Sequence, residues 1–349
     1  MKDKRTFFLK LVSCVLALVL VLSVAVTVYA EYLLNQMHYV DPDASGPVLS
    51  QEEIDKILYG DQEEVDPEYT GPYTDEEDVV LGTAGVEIGV EENIVNILLI
   101  GADYQGTDHP RSDTTILVSF NKENNTLVMT SFMRDMYVKI PGYGKNRFNT
   151  AYSLGGMHLL VDTLHENFGV NVDGIVEVDF MQFEKIIDLL GGIDLELTSQ
   201  EASWINNKCG SNLEAGMQHL RGVEAMWYSR NRTSNGGGDY NRTNRQRTVL
   251  MTLIEAYKTA NLTTIVGLMD DILPMITTNM PKNQIVDYVL DLFPRLIDAE
   301  IVSQRIPIGD GSNQKTGHLM TMINGMSVLV PNIELNVQHL MDTIGDSGE

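Results

Sequence analysis

"NIVNILLIGAD", residues 93–103, marks where an ordered domain begins. The run is apolar without alternation, so it reads as a strand buried on both faces. It ends in Gly101, Ala102 and Asp103, which puts polar chemistry at the C-terminal end of that strand. Downstream, "TTILVSFNKENNTLVMTSFMRD" (114–135) reads as two strands joined by a "KENN" turn. "DGIVEVDF" (173–180) is another strand. "MQFEKIIDLLGG" (181–192) has apolar residues at helical spacing and stops at a glycine pair. "IDLEL" (193–197) is a short strand, and "LEAGMQHLRGVEAMWYSRNR" (213–232) reads as mainly helical. "DYNRTNRQRTVLMTLIEAYKTA" (239–260) is an amphipathic helix with Asp239 as its N-cap. Helices continue over 263–298, late strands or loops follow in "RIPIGDG" and "TMINGMSVLVPN", and "IELNVQHLMDTIG" (333–345) closes the domain as a helix. Alternating strands and helices predict one layered α/β domain over residues 93–345.

Upstream the character changes. Residues 31–92 are rich in Asp, Glu, Pro and Gly, as in "GDQEEVDPEYTGPYTDEEDVV" (60–80), and read as an acidic, partly disordered stalk with one short apolar pattern, "EEIDKILYG" (52–60), that suggests a helical turn or two. "LVSCVLALVLVLSVAVTVYA" (11–30) carries no charge and as a helix would span roughly 30 Å, enough to cross a bilayer core. Lys2, Lys4, Arg5 and Lys10 precede it, so residues 1–10 are placed in the cytoplasm and the rest outside. An uncleaved signal-anchor is the favoured reading. A cleaved signal peptide ending at "VYA" is the rival.

The 349 residues are 43% hydrophobic and carry a formal net charge of -25. That balance argues against nucleic acid as a partner. Cys14 lies in the apolar run, so a disulfide with Cys209 is not expected. No histidine pair has metal-ligand spacing, and His158, His165 and His219 read as structural or exposed.

Against this acidic background, "YSRNRTSNGGGDYNRTNRQR" (228–247) concentrates arginine. Arg242, Arg245 and Gln246 share one face at the start of a helix, where free backbone N–H groups also favour anions. Arg230 and Arg232 lie just upstream, and the glycine-rich "TSNGGG" between is a loop able to close over a ligand. Taken alone, the cluster is either a salt-bridge network or a phosphate site. "GADYQGTDHPRSDTT" (101–115) adds Asp103, Asp108, Arg111 and Asp113 after a strand, where α/β folds place ligands, and carboxylate pairs suit Mg²⁺. "SFMRD" contributes Arg134 and Asp135. Together these are the parts for phosphoryl transfer. Ile116, Val118, Phe132, Phe180, Phe183 and Leu250 read as plain core.

In order, "NILLIGAD", "RSDTTILVSF", "SFMRDMYVKIPG", "NTAYSLGG", "VDFMQFEKIIDLLGGIDLEL", "GMQHLRGVEAMWYSRNR", "GDYNRTNRQRTVL" and "INGMSVLVPN" resemble the blocks of the LytR-CpsA-Psr family. The resemblance implies an α/β domain with a central sheet flanked by helices and an apolar pocket for a lipid tail. It implies a Mg²⁺- or Mn²⁺-dependent transferase at a bacterial cell membrane of the Gram-positive type. Such an enzyme moves a phosphate-linked glycopolymer, teichoic acid or capsular polysaccharide, from a polyprenyl-pyrophosphate carrier to peptidoglycan. Two alternatives are a regulatory module that holds the lipid pyrophosphate and a lipid-linked pyrophosphatase. By the same resemblance, Asp103 and Asp113 hold the metal, while Arg111, Arg134, Arg230, Arg232, Arg242 and Gln246 bind pyrophosphate. Arg111, Arg134, Asp135, Arg230 and Arg232 form the catalytic group. Asp239 occupies the family's Asp in "D-x-x-R". The chain departs where a further basic residue follows "RD": Met136, Tyr137 and Val138 intervene before Lys139.

Overall fold

The computed structural model describes residues 28–42, 44, 46–60, 73–104, 109–234, 238–259 and 262–345. The apolar run expected as a membrane span at 11–30 lies outside them, apart from residues 28–30. Those belong to the helical turns α1, residues 28–34. Among the described residues no helix is long and apolar enough to cross a membrane.

A seven-stranded mixed sheet forms the centre. Its middle is β2 (Ile94–Asp103), β3 (Arg111–Asn121) and β4 (Thr126–Phe132), an antiparallel meander. β7 (Gly174–Asp179) lies parallel to β2 on one side, and β11 (Glu300–Ile306) lies parallel to β4 on the other. β10 (Thr277–Thr278) and β1 (His38–Tyr39) complete the β7 edge.

Because strand side chains alternate, the sheet has two different faces. On one face Leu98, Ile100 and Ala102 of β2 join Leu117, Val128 and Phe132 in the main core. α3 (Thr150–Phe168) and α10 (Ile333–Ile344) cover it, contributing Leu154, Leu160, Phe168, Val337 and Leu340. The opposite face carries Leu99 and Gly101, which pair across the ladder with Ile116 and Thr114 of β3 and with Val176 and Val178 of β7. Over this face lie α4 (Phe180–Leu189) and α7 (Gly238–Thr259). Gly101 is dictated by close approach: a Cβ there would stand 2.9 Å from the Cβ of Thr114. Asp179 caps α4 through the backbone N–H of Gln182, while Gln182 returns a bond to the Asp179 N–H, which fixes where strand becomes helix.

A smaller layer hangs on each side. β8 (Ile193–Leu197) pairs with β9 (Gly216–Leu220), with α5 (Ser199–Cys209) between them and α6 (Gly222–Arg230) after. Residues 216–220, expected as helix, are therefore a strand. Their partner on β8 satisfies the backbone, and only Leu220 of the five is buried. β13 (His318–Ile323) and β14 (Met326–Pro331) form a hairpin that packs beside β5 (Tyr137–Ile140).

The described parts of the segment expected as a stalk are attached to the domain. α2 (Gln51–Tyr59), capped by Ser50 in a full capping box, sends Ile57 and Leu58 into the main core. Val79 packs with Tyr137 and Val328, and Ile88 bridges to Val170. The acidic residues of α2 stay outward, so a charged sequence still delivers an apolar stripe.

Candidate functional site

The sheet face under α4 and α7 is not closed by core. It floors an apolar cavity of about 300 Å³. Phe180, Phe183 and Ile186 of α4 form one wall, and Leu250 and Leu253 of α7 another. Ile116, Phe180, Phe183 and Leu250, expected as plain core, are thus pocket lining, whereas Phe132 is core and 2% exposed. Polar groups gather on part of the wall: Thr114, Asp179, Ser229 and Gln246.

Beyond that polar rim stands a cluster of arginines and aspartates from four segments. Arg134, just after β4, is its hub. It donates to Asp113 Oδ1 at 2.7 Å and lies 3.5 Å from Asp135 and 3.6 Å from Asp239. Asp239 also takes Arg242 at 2.7 Å and Arg232 at 3.4 Å. Arg230 reaches Asp103 at 3.4 Å, and its guanidinium lies 4.4 Å from the Phe180 ring centroid, which ties the cluster to the apolar pocket. The β2–β3 register passes from Gly101↔Thr114 to Ala102↔Ser112, leaving Asp113 as an extra residue at a bulge. A bulge re-aims the side chain it carries, here toward Arg134.

Burial and charge act unevenly across the network. Burial brings the Arg242 guanidinium down to about 10, with Arg134 and Arg232 adding repulsion that Asp239 does not offset. Arg242 is 2% exposed, yet among the described residues its Nε and Nη1 have no hydrogen-bond partner. A buried cation with two unused donors is costly unless a ligand supplies acceptors. For Asp113, burial acts upward, but Arg134, Arg242 and Arg232 outweigh it and hold the carboxyl below its usual range. For Asp239, burial prevails over Arg242 and Arg134 and lifts the carboxyl. Burial depresses Arg134, but Asp135, Asp239 and Asp113 more than restore it and hold it above its ordinary value.

Most of the residues singled out in sequence therefore come together. Arg134, Asp135, Arg230, Arg232, Arg242, Asp103 and Asp113 form the network, Arg111 sits opposite Asp103 on the neighbouring strand, and Gln246 lines the adjoining pocket. Asp108 lies outside the described residues. Arg245 does not join them. It is buried against Glu201 at 2.8 Å and donates to the carbonyls of Asn231 and Ser234, so it braces the loop instead. Lys139 does not stand in for a further basic residue, since it is exposed and paired with Glu166. Asp239 is not an N-cap but lies in the first turn of α7, where it clamps three arginines. Asn231 was not foreseen. Fully buried, it accepts from the Thr233 and Ser234 N–H groups and so pins the segment carrying Arg230 and Arg232. Its signal was its place between two arginines.

Among the described residues no group of three or more His, Cys, Asp or Glu side chains could hold a metal ion. Asp103 and Asp113 offer hard carboxylate oxygens, each engaged with an arginine. That donor set suits a cation that takes its remaining ligands from phosphates and water, the habit of Mg²⁺.

Comparison with known proteins finds relatives in sequence and in fold. The chain is 33% identical over 238 residues to polyisoprenyl-teichoic acid–peptidoglycan teichoic acid transferase TagU of Bacillus cereus, covering 68% of this chain and 75% of that one. It is 38% identical over 161 residues to the regulatory protein MsrR of Staphylococcus aureus, covering 46% of this chain and 48% of that one. Its fold matches the LytR-CPS2A-psr family protein YwtF (TagT) with bound octaprenyl pyrophosphate lipid. There the TM-score is 0.55 at 26% identity, over 73% of this chain and 91% of that one. Residues 61–340 match the LytR_cpsA_psr family, and the chain belongs to that family.

Proposed function

We propose that this protein transfers a phosphate-linked glycopolymer, of teichoic acid or capsular polysaccharide type, from a polyprenyl-pyrophosphate carrier to peptidoglycan. The observation that carries the reading is the junction at Arg242. A buried guanidinium with two unused donors stands beside an apolar pocket, which is the complement of a lipid pyrophosphate. The relative named as a teichoic acid transferase and the solved relative with octaprenyl pyrophosphate support it.

In this reading the first isoprene units enter the apolar pocket, and the arginines converge on the pyrophosphate. Arg242 and Arg134 face the phosphates from fixed positions, so they stabilise charge that builds in the transition state without reorganising. Arg230 and Arg232, the more exposed pair, close on the ligand from the pinned loop. A peptidoglycan hydroxyl attacks the phosphorus that bears the glycopolymer, and polyprenyl phosphate leaves. Four aspartates already balance the four arginines of the network. A pyrophosphate would therefore add uncompensated negative charge, and a divalent cation at Asp103 and Asp113 would offset it. Mg²⁺ or Mn²⁺ bound there would supply charge neutralisation on the phosphates. The apolar run at 11–30 is proposed as the membrane anchor that keeps the domain on the outer face, beside its lipid substrate.

The test is product analysis with a polyprenyl-pyrophosphate glycan, Mg²⁺ and a peptidoglycan oligomer. Glycan joined to the acceptor through phosphate is the expected product. Arg242→Lys should lower its yield about tenfold or more, because an ammonium cannot satisfy the same directions as a guanidinium. Free phosphorylated glycan would make the protein a pyrophosphatase. Retained lipid with no product would make it a holding module.

A further inference from the structure

A second cleft borders the same cluster, and the isoprene and pyrophosphate parts of the donor, as placed above, do not fill it. It measures about 330 Å³ and shares no lining residue with the apolar pocket. Asp135, Asp239, Tyr240, Met320 and Ser327 are on its walls. The first turn of α7 gives Asp239 to this cleft, the next turn gives Arg242, and Gln246, Leu250 and Leu253 then line the apolar pocket. Spaced three or four apart, these residues form one stripe along the helix. At 1.5 Å per residue, Asp239 and Gln246 stand roughly 10 Å apart along its axis. The arginines therefore lie between two cavities, one apolar and one bordered by carboxylates.

We propose that this second cleft admits the acceptor, a sugar hydroxyl of peptidoglycan, and that Asp135 takes its proton. The inference rests on the transferase reading. Among the described residues Asp239 is held by three arginines, whereas Asp135 has one ion pair, to Arg134 at 3.5 Å. Its main chain is fixed where its carbonyl accepts the Leu329 N–H at 2.9 Å. Tyr240 supplies a rigid aromatic wall suited to a sugar ring. Its hydroxyl is 2.6 Å from His318 Nε2, and Arg305 lies 4.3 Å from its ring centroid. His318 Nδ1 faces the Ile308 carbonyl at 2.6 Å, so Nδ1 donates and Nε2 accepts the Tyr240 proton.

In the step itself, the acceptor O–H bond breaks and its proton goes to an Asp135 carboxylate oxygen. The acceptor oxygen forms a bond to the phosphorus bearing the glycopolymer. The bond from that phosphorus to the bridging oxygen breaks, and the electron pair leaves with that oxygen as polyprenyl phosphate. A more open groove beside Trp204, lined by Ser203, Asn207, Thr233 and Ser234, is another opening among the described residues. It contains no titratable side chain to receive a proton, which favours the cleft at Asp135.

Ser327 is exposed at the cleft, so Ser327→Trp fills it without entering the core. The full-length protein in detergent should retain polyprenyl pyrophosphate as wild type does, while the acceptor KM rises tenfold or more. Met320→Trp, from the neighbouring strand, should repeat the result should Ser327→Trp fold poorly. Asp135→Asn should cut kcat on the order of a hundredfold. Unchanged acceptor kinetics in both tryptophan variants, or kcat above half of wild type in Asp135→Asn, would overturn the proposal. Loss of acceptor use in Ser203→Trp but not in Ser327→Trp would do the same by placing the acceptor in the other groove. A wild-type protein that holds the lipid and gives no product would instead remove the transferase reading beneath it.

Discussion

Arg242 and Glu177 show two uses of a buried charge. Among the described residues, Arg242 leaves its Nε and Nη1 donors without a partner. Glu177, on the core side of β7, is 5% exposed and accepts from the Tyr104 hydroxyl at 2.7 Å. Tyr104 spends its proton on Glu177, so Tyr152, 2.7 Å away, donates to Tyr104 in turn. Among the described residues Oε2 of Glu177 has no partner. Burial raises the Glu177 carboxyl above its ordinary 4.5 although the neighbouring tyrosine hydroxyls pull it back. A carboxyl raised in the folded state binds more protons there than in the unfolded chain. Its contribution to stability is therefore present at low pH and is lost as pH rises from the unfolded value through the folded one. Glu177→Gln removes that loss. Urea unfolding of the two proteins between pH 4 and 7 should show the glutamine variant gaining on wild type as pH rises, and parallel curves would contradict this. Residue chemistry of this kind was only partly legible. Arg134, Arg230 and Arg242 stood out because arginine is scarce in so acidic a chain. The different fate of Arg245 depends on Glu201, which is 44 residues away, and no local pattern announces it.

At the scale of elements, α7 is the organising part. Its length, 22 residues, lets one stripe run from the carboxylate cleft through the arginine to the apolar pocket. Its amphipathic repeat was readable, but not that its apolar stripe would face a cavity. That follows from Gly101 and the β bulge across the sheet, where Leu99, Thr114 and Val176 do not fill the space beneath it. β9 escaped the sequence reading because its alternation leaves Met217 and His219 outward, a pattern that only pairing with β8 explains. α2 was half legible, since the apolar spacing in "EEIDKILYG" suggested a helical turn or two but not that it would enter the core. Its acidic residues suggested a solvated spacer, yet Ile57 and Leu58 are 7% and 8% exposed. Leu58→Ala should cost about 2 to 5 kcal/mol of unfolding free energy in a denaturant titration, the range for a truncated core leucine. A change below about 0.5 kcal/mol, typical of a surface site, would mean α2 is not part of the folded unit.

For the molecule as a whole, the sheet separates stability from function. Its α3–α10 face carries the main core, and its α4–α7 face holds the pocket with the charged network at its rim. The continuous apolar character of β2 made a buried central strand legible, since both faces demand apolar side chains. That one face meets a cavity instead of a core was not, because the same residue types serve either purpose. The central claim is that the apolar pocket and the arginines form one site for a polyprenyl pyrophosphate. Mass spectrometry of lipid retained by the purified protein tests it most directly, comparing wild type with Arg230→Ala/Arg232→Ala after incubation with Mg²⁺ and a polyprenyl pyrophosphate. Wild type should carry one lipid phosphate or pyrophosphate per chain, and the double variant, folded to the same extent by circular dichroism, should lose it. A wild type that carries no lipid, or a double variant that carries as much, would contradict the account.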